Sequence, residues 1–175
     1  MSTELLSMVL LIGLLGVAVV SDLLRHRIPN MLVLLGLALG LISQMYSGGV
    51  SGLGDSLLGI LICFALFLPM YAFGGMAAGD VKLMVMVGSF LPFHYALWAA
   101  MFSLIAGGMC GLLIVLFRGQ LRQTLGRYWL ILRAQAYLAP TSDEVAGKPF
   151  PYSIAILIGT LNSVYWQLVA GGFGG

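Results

Sequence analysis

Charge is what this sequence has least of. Only 8% of its 175 residues are Asp, Glu, Lys or Arg, while 61% are hydrophobic and the mean hydropathy is +1.06. Soluble domains carry about a quarter charged residues, so the composition excludes one and points to an all-α, polytopic membrane protein. At 18.6 kDa, nearly the whole chain belongs in or near the bilayer, as a single domain over residues 1–175. Cysteine is scarce as well: Cys63 and Cys110 fall in apolar runs with no CxxC pair, which excludes a zinc site of that kind and leaves buried, inert thiols. The two histidines, His26 and His94, have no neighbour at metal-ligand spacing, so no metal or cofactor is expected. The eight Lys and Arg are spread over short loops, which excludes a basic nucleic-acid-binding face. The first apolar run lacks a basic start and is followed by Arg25 and Arg27, so it reads as a retained helix rather than a cleaved signal.

Six spans are predicted, over residues 4–24, 31–46, 55–73, 80–91, 93–117 and 151–169. About 20 helical residues cover a core of ~30 Å. The fourth is short, about 18 Å of helix; it is either buried among the others or continues through Pro92 with a kink. With the N-terminus outside, the inner segments are 25–30, 74–82 and 118–150, and they hold all eight basic residues. Glu4 and Asp55 fall outside, Asp55 as a cap of the third span. The positive-inside rule therefore supports both the orientation and the span count. Residues 118–138 place Leu121, Leu125, Tyr128, Trp129 and Leu132 at helical spacing opposite Arg118, Arg122, Gln123 and Arg127. That pattern fits a basic helix lying on anionic lipid of the inner leaflet, and equally an ordinary loop helix packed on the bundle. Residues 140–149 read as a flexible loop and 171–175 as a frayed tail.

Among six carboxylates, Asp22 and Asp80 stand out. Ionisable groups at membrane depth are expensive and persist mainly where they face an interior or cavity and do chemistry or transport. The span parity puts both aspartates near the inner face, where they can meet as a dyad that activates water. The first sits in Ser21-Asp22-Leu23-Leu24-Arg25-His26-Arg27-Ile28-Pro29-Asn30, where Pro29 and Asn30 reverse the chain. The second sits in Gly74-Gly75-Met76-Ala77-Ala78-Gly79-Asp80-Val81-Lys82-Leu83; Asp80 suits the N-cap of the fourth span, and Gly79 leaves room for an extended peptide. The bland alternative is one capping aspartate and one loop aspartate.

These two passages, with Pro151-Tyr152-Ser153-Ile154-Ala155-Ile156 before the last span, resemble the type IV prepilin peptidases, aspartic proteases of the GxGD intramembrane class. The resemblance covers nearly the whole chain. It implies an endopeptidase of the bacterial inner membrane, with catalytic carboxylates at Asp22 and Asp80, that removes prepilin leader peptides on the cytoplasmic side after a glycine. The first glycine of the GxGD pattern is Ala77 here. Larger members add a cytoplasmic domain with cysteine pairs and methylate the new N-terminus; about six residues separate the first two spans here, so that methyltransferase domain is absent and the chain resembles the short, peptidase-only branch of the Flp, or tight-adherence, pilus systems.

The implied mechanism is general acid–base attack by water, with the two carboxylates sharing a proton. Helix dipoles favour Asp80 as the anion, and Arg25 and Arg27 oppose that asymmetry. Gly79, Lys82, Arg27, Pro29, Asn30, Pro151 and Tyr152 are candidate supporting or substrate-binding residues. Lys82 has an equal claim as a headgroup anchor, and Pro151-Tyr152 as a plain helix start. Gly107, Gly108 and Gly111 point to close helix packing. Expected partners are a Flp-type prepilin, membrane lipids and other pilus-assembly proteins. Two rivals remain: a proton-coupled transporter, which favours mid-bilayer carboxylates and repeated halves, and a pilus-assembly scaffold without activity.

Overall fold

The computed structural model describes residues 2–117 and 152–172, which form helices and the turns joining them. The helix expected over 118–138, the loop over 140–149 and Pro151 lie outside the described residues. Helix α1 (Ser2–Arg25) ends where His26 adopts the left-handed region at φ 49°, its N–H bonding the Asp22 carbonyl at 2.8 Å. This is an αL cap, and His is among the few non-glycine residues that enter the region readily. The Ser21 hydroxyl then donates to the Arg27 carbonyl at 3.0 Å, fixing the turn that delivers Pro29 (φ −62°, ψ 127°) as the N-cap of the next helix. Asn30 is accordingly its first helical residue rather than a turn residue.

Helix α2 (Asn30–Ala72) has one break, at Gly49 (φ 60°, ψ −141°). Two spans with a loop over 47–54 were expected; a single glycine suffices, and helix resumes directly after it. A Cβ on Gly52 would strike the Gln44 carbonyl, although residues eight apart lie about 12 Å apart along a straight helix. The chain therefore folds back, into arms over 30–48 and 50–72, about 28 and 34 Å long. Asp55 consequently lies within the second arm and does not cap it. That arm stops at Gly74, φ 72°, where Gly74 N–H bonds the Tyr71 carbonyl and Gly75 N–H the Met70 carbonyl, the two bonds of a Schellman motif.

Helix α3 (Ala78–Phe90) is the centre of the bundle. Asp80, Val81, Leu83, Met84 and Met86 through Phe90 are all buried, and Lys82 alone is exposed beyond the first turn. Its 13 residues make about 20 Å of helix, too short to be counted with the long apolar ones. The two arms of α2 flank it in opposite directions. Along the first, Gly36 meets Met86, Gly40 meets Ser89, and Gln44 Nε2 donates to the Phe90 carbonyl. Along the second, the Ser56 hydroxyl donates to the Ser89 carbonyl at 2.7 Å, and Gly59 faces Gly88 so closely that a Cβ on Gly88 would lie 2.6 Å from the Gly59 oxygen.

Leu91 is extended (φ −107°, ψ 142°) ahead of Pro92, so α3 stops there instead of continuing with a kink into α4 (Phe93–Phe117). Helix α5 (Ser153–Gly172) packs antiparallel on α4. Gly159 lies against Ser103 and Ala99, and the Ser163 hydroxyl reaches the Tyr95 carbonyl at 2.7 Å. Helix α1 runs antiparallel to the first arm of α2, with Leu14 beside Gly36 and the Ser7 and Ser43 hydroxyls in contact.

Segments within α1 (Glu4–Arg25), α2 (Asn30–Ala72) and α4 (Phe93–Leu113) are long and apolar enough to cross a membrane. The exterior carries large apolar side chains such as Leu24, Leu34, Val50, Phe64 and Met109, while Ser56, Ser89, Ser103, Thr160 and Ser163 are buried. Apolar outside with hydroxyls and small residues between helices is the pattern of a membrane protein.

The Gly59–Gly88 contact sets the spacing of α2 and α3. Gly88→Val should destabilise the protein by about 1–3 kcal/mol through overpacking against backbone, whereas Gly13→Ala, with open space around it, should be neutral or stabilising by up to about 1 kcal/mol. Thermal unfolding of the two variants in detergent checks both.

Candidate active site

Three helix ends converge at one end of the bundle: the last turn of α1, the first turn of α3 and the start of α5. Asp22, one turn before the close of α1, is 9% exposed. Asp80, in the first turn of α3, is 4% exposed. The two carboxyl groups lie within electrostatic reach of one another, and Tyr152 lies within reach of Asp80. The carboxylates thus occupy one end of the bundle together.

Each carboxylate has a single donor among the described residues. Ala77, and not Asp80, is the N-cap of α3; Asp80 is at the third helical position, and its Oδ2 accepts the Ala77 N–H at 3.1 Å. That is the reach-back half of a capping box, which satisfies an N–H the helix cannot. Ala77 is extended (φ −81°, ψ 154°), a conformation open to any residue, so alanine in place of the first motif glycine imposes no backbone strain. Asp22 Oδ2 accepts the Ser153 hydroxyl at 2.6 Å. Ser153 is fully buried and escaped the sequence reading as a site residue, since a serine beside Tyr152 carries no signal of its own.

The supporting residues divide in two. Ile28, just ahead of Pro29 and Asn30, lies beside Gly79, where an added Cβ would be in ordinary van der Waals contact with it, and Lys82 Nζ donates to Asn30 Oδ1 at 3.1 Å. The turn after α1 is thereby docked on the turn before α3, which ties the backbone of one aspartate to that of the other. Arg25 and Arg27 are exposed, and neither forms an ion pair among the described residues. Tyr152 is 6% exposed; its hydroxyl donates to the Ser103 carbonyl at 3.1 Å, and its ring meets Phe67 edge-on, centroids 6.2 Å apart. Gly107 permits this, because a Cβ there would collide with the tyrosine ring, while Gly108 and Gly111 have open space. No His, Cys, Asp and Glu cluster able to hold a metal occurs among the described residues. A cavity of about 50 Å³, lined by Glu4, Ser7, Gln44 and Gln167 among others, lies at the opposite end and is far too small for a peptide.

A family model described as the type IV leader peptidase family matches residues 9–116, a stretch that contains both aspartates and every residue of their turns. The chain belongs to that family. Its members are peptidases of prepilin-type substrates, which makes this membrane protein a protease. Neither the curated proteins nor the solved structures yield a match. Within this leader peptidase, α5 falls beyond the matched stretch and joins the site through Tyr152 and Ser153.

The Tyr152 hydroxyl bond makes a direct prediction. Tyr152→Phe should lower stability by about 1 kcal/mol, and Gly107→Ala by more, about 1–3 kcal/mol, because the ring must move. Melting temperatures in one detergent rank the two variants.

Proposed function

We propose that the protein is a membrane-embedded aspartic endopeptidase that removes the leader peptide of Flp-type prepilins at the cytoplasmic face of the inner membrane, with Asp22 and Asp80 as its catalytic pair. The observation that carries this reading is the meeting of two buried carboxylates, from α1 and α3, at one end of an apolar bundle within the family-matched stretch. Arg25, Arg27 and Lys82 are at that same end, as the positive-inside rule asks of a cytoplasmic face.

The chemistry follows from the pair. One carboxylate, ionised, takes a proton from water as the oxygen attacks the scissile carbonyl; the other, protonated, donates to the carbonyl oxygen. The tetrahedral intermediate then collapses as the amine leaves with a proton. In this mechanism the pair divides the roles of base and acid between its two carboxyl groups. The turn carrying Ile28, Pro29 and Asn30 and the turn carrying Gly79 and Lys82 hold the two backbones in register.

Asp22→Asn and Asp80→Asn should each reduce cleavage of a co-expressed Flp-type prepilin by at least about 10³-fold, the scale of lost general acid–base catalysis, with insertion and melting temperature kept. Gel mobility of the pilin reads the outcome, and normal processing by either variant rejects the dyad. A scaffold without activity would support pilus assembly in both variants. For the orientation, a reporter fused after Lys148 should read as cytoplasmic; an external signal would invert the proposed sidedness.

A further inference from the structure

We propose that Ser153 is a positioning residue of the dyad: its hydroxyl holds Asp22 by Oδ2, so that Oδ1 is the oxygen presented to water and to Asp80. The inference rests on the assignment of Asp22 and Asp80 as the catalytic pair.

The two ends of a helix offer a carboxylate different backbone groups. The first turn of a helix has N–H groups without intrahelical partners, and the last turn has carbonyls. Asp80 sits in a first turn and draws its donor from the adjacent backbone, the Ala77 N–H. Asp22 sits in a last turn, where the nearby backbone presents oxygen. The N–H of His26 is already given to the Asp22 carbonyl itself. A donor for this carboxylate must therefore come from elsewhere, and Arg25 and Arg27, though close in sequence, form no ion pair among the described residues. The donor is Ser153, from a helix 131 residues away in the chain.

A serine hydroxyl has one proton to donate. Given to Oδ2 at 2.6 Å, with Ser153 fully buried, that proton makes Oδ2 a filled acceptor site on that side. The arrangement mirrors Asp80, whose Oδ2 is likewise occupied by its own donor. Each carboxylate keeps its other oxygen for the attacking water and the scissile carbonyl.

The donor is itself held firmly. Ser153 follows Tyr152, whose hydroxyl is fixed to the Ser103 carbonyl and whose ring is seated on Gly107 and against Phe67. The α4–α5 contact therefore sets where the hydroxyl stands, and the hydroxyl sets the rotation of the Asp22 carboxylate. General acid–base steps depend steeply on such placement.

The test uses the full chain in detergent and a peptide spanning the leader junction of a prepilin that the wild type cleaves. Ser153→Ala should lower kcat by about ten- to a hundredfold, leaving KM within about twofold. Ser153→Thr, which keeps the hydroxyl, should recover most of the rate. Wild-type kcat in Ser153→Ala, or equal loss in the Ala and Thr variants with both folded, overturns the proposal. A second measurement does not depend on activity: Ser153→Ala and Asp22→Ala, each of which removes one partner of the bond, should be non-additive in a thermal-stability cycle, and strict additivity overturns the bond itself. Non-additivity together with normal cleavage by Asp22→Asn instead rejects the catalytic assignment beneath the proposal, and the positioning role with it.

Discussion

A carboxylate removed from water must find hydrogen-bond donors or give up its charge, and this bundle buries two of them at one end. The surrounding architecture is arranged around that demand. Asp80 is placed where a helix begins, so that backbone N–H is to hand. Asp22 is placed where a helix ends, and its donor is brought by α5. The turns at Ile28–Asn30 and at Gly79–Lys82 touch each other, so the backbone that carries one carboxylate is braced on the backbone that carries the other.

That meeting requires α3 to lie at the centre of the bundle, and small residues make this possible. Gly36, Gly40 and Gly59 on the two arms of α2 let α3 approach until backbone nearly meets backbone at Gly88. Between helices in lipid, close packing and hydroxyl bonds supply the association that hydrophobic burial supplies in water. The Ser56 bond to the Ser89 carbonyl and the Gln44 bond to the Phe90 carbonyl serve that purpose at the far end of α3. A short helix is thus held along both flanks, and its first turn is carried into the site at a fixed height.

Much of this was legible in the chain. Long apolar runs marked the chain as all-helical, Gly74-Gly75 marked a helix end with the αL residue it needs, and the rarity of acid drew attention to Asp22 and Asp80. Finer points were not legible, for physical reasons. The glycine-rich stretch around Gly48, Gly49, Gly52 and Gly54 reads locally as loop, yet packing of both arms on α3 keeps all but Gly49 helical. Asp80 reads as an N-cap because aspartate favours that position; two residues of helix form ahead of it, and the carboxylate reaches back instead. Tyr152 resembles a groove residue in sequence, whereas Gly107, invisible as its partner 45 positions earlier, gives its ring a buried seat. Ser153 had no local signature at all, since only tertiary structure brings it to Asp22.

The bond between Asp22 and Ser153 also has a meaning in time. It joins α1 to α5, and a contact of such sequence separation cannot form until α5 has left the ribosome and inserted. The helices carrying both aspartates are made long before that. Until α5 follows, the nascent chain therefore carries its two acidic groups with one of them lacking its helix-borne donor. Insertion of α5 is the event that supplies it.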